Sequence, residues 1–356
     1  MNNQYVVIMA GGIGTRFWPM SRVGKPKQFQ DILGQGKTFL QMTFERFENI
    51  CPKENIFVVT NTEYFELVKE QLQIDEQQIL CEPQMRNTAP CIAYACYKIY
   101  AKNPDACIVV APADHLIKRQ REFEQVLLIA LQASQDAEKL ITLGISPTRP
   151  DTGYGYIQLD ESSPDRVKKV KSFTEKPNLE VALKFLESGD FVWNAGIFIW
   201  HVKAILAAFR KYMPDLAHLF EEMKDFYMPT ERQAIATIYA QCHSISIDYG
   251  IMEKAQNVYV IRCDLAWSDL GTWKSLYEEL PKNARMNVSN SKKCLEYETY
   301  NTLIKVPENK LVIVQGLENY IVVEQDNVLL ICQKDQEQRI KEFLENAKRQ
   351  VQGDFF

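Results

Sequence analysis

Between Met9 and Phe29 the chain reads MAGGIGTRFWPMSRVGKPKQF. Gly11, Gly12 and Gly14 close a short apolar run, and Arg16, Lys25 and Lys27 follow. Glycines let a backbone turn sharply and bring its N–H groups against a ligand. Such a nest suits phosphate oxygens, and clustered Arg and Lys supply the charge to grip a triphosphate. A plain glycine turn with solvated charges is the alternative that spacing alone leaves open, because short glycine motifs are weakly specific. Two common phosphate motifs do not fit. A dinucleotide fingerprint needs a third glycine where Phe17 stands, and Pro19 opposes the long helix that should follow. The later DILGQGKT ends like a P-loop but has Asp31 at its first glycine position, so Gly34–Gly36 reads as a turn.

These residues need elements to hold them. YVVIMA (5–10), NIFVVT (55–60), ACIVVAPA (106–113) and LITLGI (140–145) are short apolar runs that read as buried strands. Helical patterns separate them. Thr38 and Gln41 form a capping-box signature, and residues 87–102 begin with a cap residue and carry Pro90 in the first turn. Strands alternating with helices predict a parallel sheet with helices on both faces. Ligands then bind at the carboxyl ends of the strands, where MAGG, APADH and CEPQMRNTAP fall. TGYGYIQLDE, RVKKVKSFTEKP and VWNAGIFIW read as strands of a substrate-binding insertion built onto the sheet, with a helix after Pro177 and further helical patterns from His201 to about Ala240. Beyond Pro281 short β-rich runs are broken by Asn, Gly and Pro. The last pattern is an amphipathic helix with Ile340, Phe343, Leu344 and Ala347 on one face. The shift of character puts a domain boundary near Leu280, giving 1–280 and 281–356.

Composition bounds the rest. The chain has 356 residues, 46% apolar and 24% charged, as in an ordinary globular protein of two domains. A net charge of −5 gives no reason to expect nucleic acid or an acidic membrane as partner. No run approaches the ~18 apolar residues of a membrane-crossing helix, and no basic region precedes the first apolar run, so no signal peptide is expected. Nine cysteines without a CxxC pair fit reduced thiols in a cytoplasm, with Cys91 and Cys96 packed on a helix. The four histidines, His115, His201, His218 and His243, lack metal-ligand spacing.

GGIGTRFWPMSRVGKPKQF resembles the signature of the sugar-phosphate nucleotidylyltransferases, and more narrowly that of the mannose-1-phosphate guanylyltransferases. EPQMRNTAP, VAPADH, GYGYI, FTEKP, WNAGIFIW and WSDLGTW agree in order, from about Tyr5 to the C-terminus. The resemblance implies an α/β fold with a Rossmann-like mixed, mainly parallel sheet of glycosyltransferase-A-like type, and a small C-terminal β-helical domain. It departs from the usual pattern at RMNVSNSKKCLEYETY, where a regular Gly/Asp turn is expected, which puts strand register there in question. A separate isomerase domain, carried by larger members, is not expected at this length.

The implied reaction joins GTP and mannose 1-phosphate into GDP-mannose and pyrophosphate, with Mg²⁺ or another divalent cation. A phosphate dianion is already a nucleophile, so the site must align two anions and neutralise their charge. By the resemblance, Gly11, Gly12, Gly14, Thr15 and Arg16 hold the nucleotide phosphates, Lys27 neutralises charge at the α-phosphate, and Gln28 belongs to the same motif. Asp114 and Asp269 are the metal ligands; the bland readings are a helix cap for Asp114 and an N-cap before TWKSLYEEL for Asp269. Glu82, Arg86, Asn87 and Thr88 face the base and ribose. Gly155, Glu175, Lys176 and Asn194 take the sugar phosphate, whereas Trp193, Phe198 and Trp200 read as core. The apolar edge strands and terminal helix suit either a homodimer contact or a cap on the domain. A sister enzyme with another base or hexose, and a regulatory subunit without turnover, are the competing readings.

Overall fold

A computed structural model describes residues 3–353 and 355–356. By contacts the chain forms two compact units. The first is Met1–Gly11, Thr43–Ala113 and Ile117–Trp267; the second is Gly12–Met42, Asp114–Leu116 and Ser268–Phe356.

The first unit is built on a nine-stranded sheet. Its strands are β1 (Gln4–Met9), β2 (Ile56–Asn61), β3 (Ile79–Glu82), β4 (Cys107–Pro112), β5 (Leu140–Ile145), β6 (Tyr156–Leu159), β7 (Lys168–Thr174), β8 (Phe191–His201) and β9 (Val258–Cys263). Their order is β3-β2-β1-β4-β8-β5-β9-β7-β6, with β8 also pairing with β6. The runs of Val and Ile in β1, β2 and β4 are buried along nearly their whole length, as strands covered on both faces must be. β1, β2, β3 and β4 pair in parallel, and so do β5 and β9. The remaining pairs are antiparallel, which alternation of strands and helices does not predict. The cause is local: β6 and β7 are joined without a crossover helix, so they form a hairpin, and β8 enters the middle of the sheet against β4 and β5. The stretch read as an insertion is thus part of the main sheet.

Helices pack on this sheet as their patterns require. α1 (Phe39–Phe47) starts at the expected capping box, with Thr38 N–H donating to Gln41 Oε1 (2.9 Å) and Gln41 N–H to Thr38 Oγ1 (3.3 Å). α2 (Phe65–Leu72) is followed by α3 (Thr88–Lys102), whose residues Ala89 to Ile99 are all buried, so Cys91 and Cys96 are packing residues. α4 (Gln120–Ser134) and α5 (Leu179–Ser188) come next; Asn178 caps α5 by accepting from Val181 N–H. The long helical pattern after His201 divides into α6 (Val202–Tyr212), α7 (Pro214–Glu221) and α8 (Glu231–Gln241), the first break falling at Pro214. No helix among the described residues is long and apolar enough to cross a membrane.

The second unit contains α9 (Trp273–Glu279), β10 (Val288–Ser289), β11 (Cys294–Tyr297), β12 (Leu303–Lys305), β13 (Val312–Gln315), β14 (Tyr320–Gln325), β15 (Val328–Gln333) and α10 (Ile340–Gln350). β10, β12 and β14 stack in parallel, β15 closes that sheet as a hairpin, and β11 pairs with β13. The register doubted from the sequence is held by asparagines where Gly/Asp turns were expected. Asn287 is 1% exposed; its amide donates to Thr299 O (2.8 Å) and accepts from Thr302 N–H (3.0 Å). Asn290 likewise bridges both backbone groups of Val306.

The contact division differs from the boundary expected near Leu280, because an aromatic core draws the glycine loop into the second unit. Phe17, Trp18 and Phe39 are buried with Trp273, Leu276, Ile321, Ile340 and Leu344. Trp273 Nε1 donates to Trp18 O (3.2 Å), and the Phe17 and Trp273 ring centroids are 4.9 Å apart. The predicted apolar face of α10 thus supplies part of the core beneath the loop.

Candidate active site

In the second unit the glycine loop is tied into one conformation. Gly14 has φ +66°, and a Cβ there would lie 2.9 Å from Lys27 Cβ and 3.0 Å from Ser21 Oγ, so both backbone angle and space require glycine. Ser21 Oγ donates to Ile13 O (2.5 Å) and accepts from Lys27 N–H (3.0 Å). Gln28 Nε2 donates to Gly12 O (2.8 Å), which gives that side chain a loop-bracing role. Thr15 and Arg16 form a single helical turn, with Arg16 exposed. Lys25 is exposed too, its backbone paired with Arg22.

Lys27 is the centre of the cluster. Its side chain is 3% exposed. Its ammonium donates to Asp114 Oδ2 (3.1 Å), Asp114 O (3.1 Å) and Asp269 O (2.8 Å). The Phe17 and Phe39 rings lie 5.3 and 5.2 Å away. Burial opposes the charge of Asp114, but Lys27, His115 and the hydrogen bond from Lys27 outweigh it and hold the carboxyl below its usual range. Neither aspartate is a helix cap. The helix after Asp114 begins at Gln120 behind Arg119, with no side-chain cap. Thr272 caps α9 in a capping box with Ser275, while Asp269 Oδ1 accepts from Gly271 N–H (3.1 Å).

Lys27 thus meets the carboxylate and carbonyl of Asp114 but only the main-chain carbonyl of Asp269, whose carboxylate accepts from Gly271 N–H. Among the described residues no group of three or more His, Cys, Asp or Glu side chains could hold a metal. A hard divalent ion needs only one or two carboxylates and completes its shell with water and phosphate oxygens, and the Asp114 carboxylate beside Lys27 can supply one.

The residues expected at the base lie in the first unit. Glu82 ends β3, is 5% exposed, and accepts from Tyr239 O–H at 3.0 Å. A Cβ at Gly11 would lie 3.3 Å from Glu82 Oε2. Glu82 is thus enclosed by Gly11 and Tyr239. Asn87, at φ +66°, accepts from Thr88 N–H (2.8 Å) at the start of α3. Thr88 Oγ1 accepts from Ile247 N–H (2.9 Å), and Arg86 O from Ile245 N–H (3.3 Å). Arg86 donates to Gln84 (2.7 Å), while its Nε is buried without a hydrogen-bond partner.

Burial pushes the Glu82 carboxyl up to about 8 from 4.5, against the hydrogen bond from Tyr239. Across that window the folded chain keeps a proton that the unfolded chain has lost, so this group's contribution to stability falls as pH rises. Glu82→Gln should therefore lose less melting temperature between pH 5 and pH 8 than the parent protein does. Parallel melting curves across that range would contradict the buried, proton-holding state.

The sugar-side residues also gather in the first unit. Asn194 N–H donates to Gly155 O (2.8 Å), and Lys176 N–H to Tyr154 O (3.2 Å). A Cβ at Gly155 would meet Glu175 Oε2 at 2.4 Å, so glycine there lets a buried carboxylate approach the backbone. The other oxygen, Glu175 Oε1, accepts from Lys176 Nζ at 2.5 Å. Burial works against the Lys176 charge, but Glu175 by hydrogen bond and charge, with Asp248 and Tyr249, keeps its pKa above the usual value. Asn194 Oδ1 accepts from Gly196 N–H (3.1 Å) and lies 2.9 Å from Thr142 Oγ1. That fixes the amide's orientation, so its NH₂ faces Asp248 Oδ1 at 2.9 Å. Trp193, Phe198 and Trp200 are buried, as core residues.

The sequence profile of the nucleotidyl transferases matches residues 5–285. The chain belongs to the nucleotidyl transferase family. A second profile, the MannoseP isomerase/GMP-like beta-helix domain, matches residues 293–346. Among relatives, the mannose-1-phosphate guanylyltransferase of Klebsiella pneumoniae is 35% identical over 363 residues, covering 98% of this chain and 75% of its own. The alginate biosynthesis protein AlgA of Pseudomonas aeruginosa is 35% identical over 353 residues, covering 97% and 72%. The crystal structure of mannose-1-phosphate geranyltransferase from Thermus thermophilus superposes with TM-score 0.86 at 28% identity, over 97% of this chain and 99% of that one. The α/β fold with a C-terminal β-helical module, expected from the resemblance, is the fold of this nucleotidyl transferase.

Two residues of these clusters lie outside the motifs that the sequence displays. Asp248 opens a π-helical turn (Asp248–Met252) and joins Asn194, Glu175 and Lys176. Burial and the neighbouring Glu175 charge push it up to about 7, against Lys176 and Asn194. In the sequence it sits in SIDYG, a short run with a glycine that follows a helical pattern. Tyr239, which holds Glu82, lies on α8 and reads there as one more core aromatic.

Proposed function

We propose that this chain transfers the nucleotidyl group of GTP to α-D-mannose 1-phosphate, giving GDP-mannose and pyrophosphate. The observation that carries the chemistry is the Lys27 ammonium, buried beside the glycine loop and held by Asp114 and Asp269. The choice of guanine and mannose rests on the named guanylyltransferase relatives, aligned over nearly the whole chain.

A phosphate oxygen of the sugar 1-phosphate forms a bond to the α-phosphorus of GTP, and the bond from that phosphorus to the bridging oxygen breaks. The leaving group carries its electrons away as pyrophosphate, with no covalent enzyme intermediate. The N–H groups of Gly11, Gly12, Gly14 and Thr15, with Arg16, hold the triphosphate, and Gln28 braces their loop. Lys27 offsets charge at the α-phosphate and on the leaving pyrophosphate. Glu82, Arg86, Asn87 and Thr88 serve the base and ribose. Lys176 takes the sugar phosphate, Glu175 and Asn194 its hydroxyls, with Gly155 offering backbone. A divalent metal belongs to this family's chemistry. We assign Mg²⁺, held by Asp114 and Asp269, where it would neutralise phosphate charge. Functionally we keep 1–280 as the transferase domain and 281–356 as the β-rich module, in a cytoplasmic protein whose nine cysteines are free thiols.

Pyrophosphate release tests the reading, with GTP, ATP, UTP and dTTP crossed against mannose, glucose and fucose 1-phosphates. Release mainly from GTP with mannose 1-phosphate is expected. Preference for another pair would move the assignment to a sister specificity, and silence with nucleotide still bound would favour a regulatory subunit. Within the active pair, Lys176→Ala should raise the KM for mannose 1-phosphate about tenfold or more, as loss of a charged phosphate contact does, and leave that for GTP nearly unchanged. An unchanged sugar KM removes Lys176 from that role.

A further inference from the structure

The WPMSR run carries a cation that the phosphate chemistry does not use. The Arg22 side chain is 14% exposed and turns toward the hairpin between β14 and β15. Its Nε donates to Pro19 O (3.1 Å), one terminal nitrogen to Asn327 Oδ1 (3.2 Å), and the other to Gln325 O (2.8 Å). The Asp326 carboxylate lies 3.8 Å away. A guanidinium spread in this way over backbone carbonyls is committed to the protein, not to a ligand.

On the loop side the connection is equally direct. Arg22 and Lys25 exchange backbone hydrogen bonds of 3.3 and 3.1 Å, and Gln30 Nε2 clamps Met20 O and Lys25 O. The adjacent Ser21 hydroxyl joins Ile13 O to Lys27 N–H. Arg22 thus fixes one side of the loop whose other side carries the glycines and Lys27. All of these residues belong to the second unit.

We propose that Arg22 is a positioning residue: it ties the phosphate-binding loop to the β14–β15 hairpin, which makes that hairpin part of the nucleotide-side apparatus. This rests on the transferase reading and adds to it a role for the C-terminal module. The Asp326–Asn327 turn is exposed, and Asp326 adopts φ +53° there, so the hairpin presents its tip carbonyl and amide toward Arg22 at a tight turn.

Arg22→Ala, Arg22→Lys and Asn327→Ala form the test series, each measured for KM of GTP, KM of mannose 1-phosphate, kcat, and GTP affinity by titration calorimetry. Arg22→Ala is expected to raise KM and Kd for GTP about tenfold, with the sugar KM within twofold of the parent. Arg22→Lys, which can reach the Gln325 carbonyl, should recover part of this. Asn327→Ala, an exposed substitution that should not threaten folding, should move GTP affinity two- to threefold in the same direction. A purely structural brace would lower melting temperature and the active fraction while leaving both KM values alone, and that result overturns the proposal. So does an unchanged GTP affinity in Asn327→Ala and Arg22→Lys together. If the parent protein turns over none of the substrate pairs, the transferase reading fails, and the calorimetric GTP affinities still decide the role of Arg22.

Discussion

Asp114→Ala and Asp269→Ala should each lower turnover at least about a hundredfold, a loss of roughly 2.7 kcal/mol of transition-state stabilisation. The expectation follows from charge. The reaction brings a phosphate dianion against a triphosphate, so carboxylates beside Lys27 make sense as holders of a further positive charge. The same variants should still fold. Without the Asp114 carboxylate, Lys27 keeps two carbonyl acceptors, Asp114 O and Asp269 O. The Asp114 side chain is 36% exposed, so little packing is lost. Asp269→Ala loses the turn bond to Gly271 but keeps the carbonyl that Lys27 uses. Steady-state pyrophosphate release at saturating Mg²⁺ measures the rates, and electron paramagnetic resonance of Mn²⁺ with GTP reads metal affinity without turnover. Near-normal rates in both variants, with Mn²⁺ affinity unchanged, would remove the aspartates from the metal role.

Much of this arrangement is legible in the residue order because its signals are local. β5 falls where LITLGI ends in both directions, and the Thr38–Gln41 box marks the start of α1. The glycines, Lys27 and both aspartates stand in motifs that resemble those of the family, and the roles proposed for them come from that resemblance. What escaped depends on tertiary placement. A strand's run of apolar residues does not record its direction, so the antiparallel entry of β8 between β4 and β5 is invisible until pairing is known. Arg22 lies among basic residues of a phosphate-binding motif, and only its contacts with residues 325–327 separate it from Arg16. Asp248 carries no spacing signature, because its partners Asn194 and Glu175 are distant in sequence. In the C-terminal module Asn287 and Asn290 replace the expected glycine turns, and an asparagine's use as a backbone bridge does not show in composition.

Lys27→Met should reduce kcat by about 10²- to 10³-fold, the range seen when one preorganised electrostatic group is lost. Methionine has the length to occupy the space between Phe17 and Phe39, so the change removes charge more than volume. Loss of a buried cation also leaves Asp114 without its partner, and a fall in activity could arise from that alone. A double variant separates the two causes. If Lys27 only neutralises Asp114, adding Lys27→Met to Asp114→Asn should cost no further activity, because no carboxylate charge is left to neutralise. If Lys27 acts on the reacting phosphates, the double variant should be clearly slower than Asp114→Asn alone, with melting temperature partly restored relative to Lys27→Met. Equal turnover in the double variant and Asp114→Asn would reduce Lys27 to a structural counter-ion. A further loss in a protein of recovered stability would leave charge neutralisation at the phosphates as the role of Lys27.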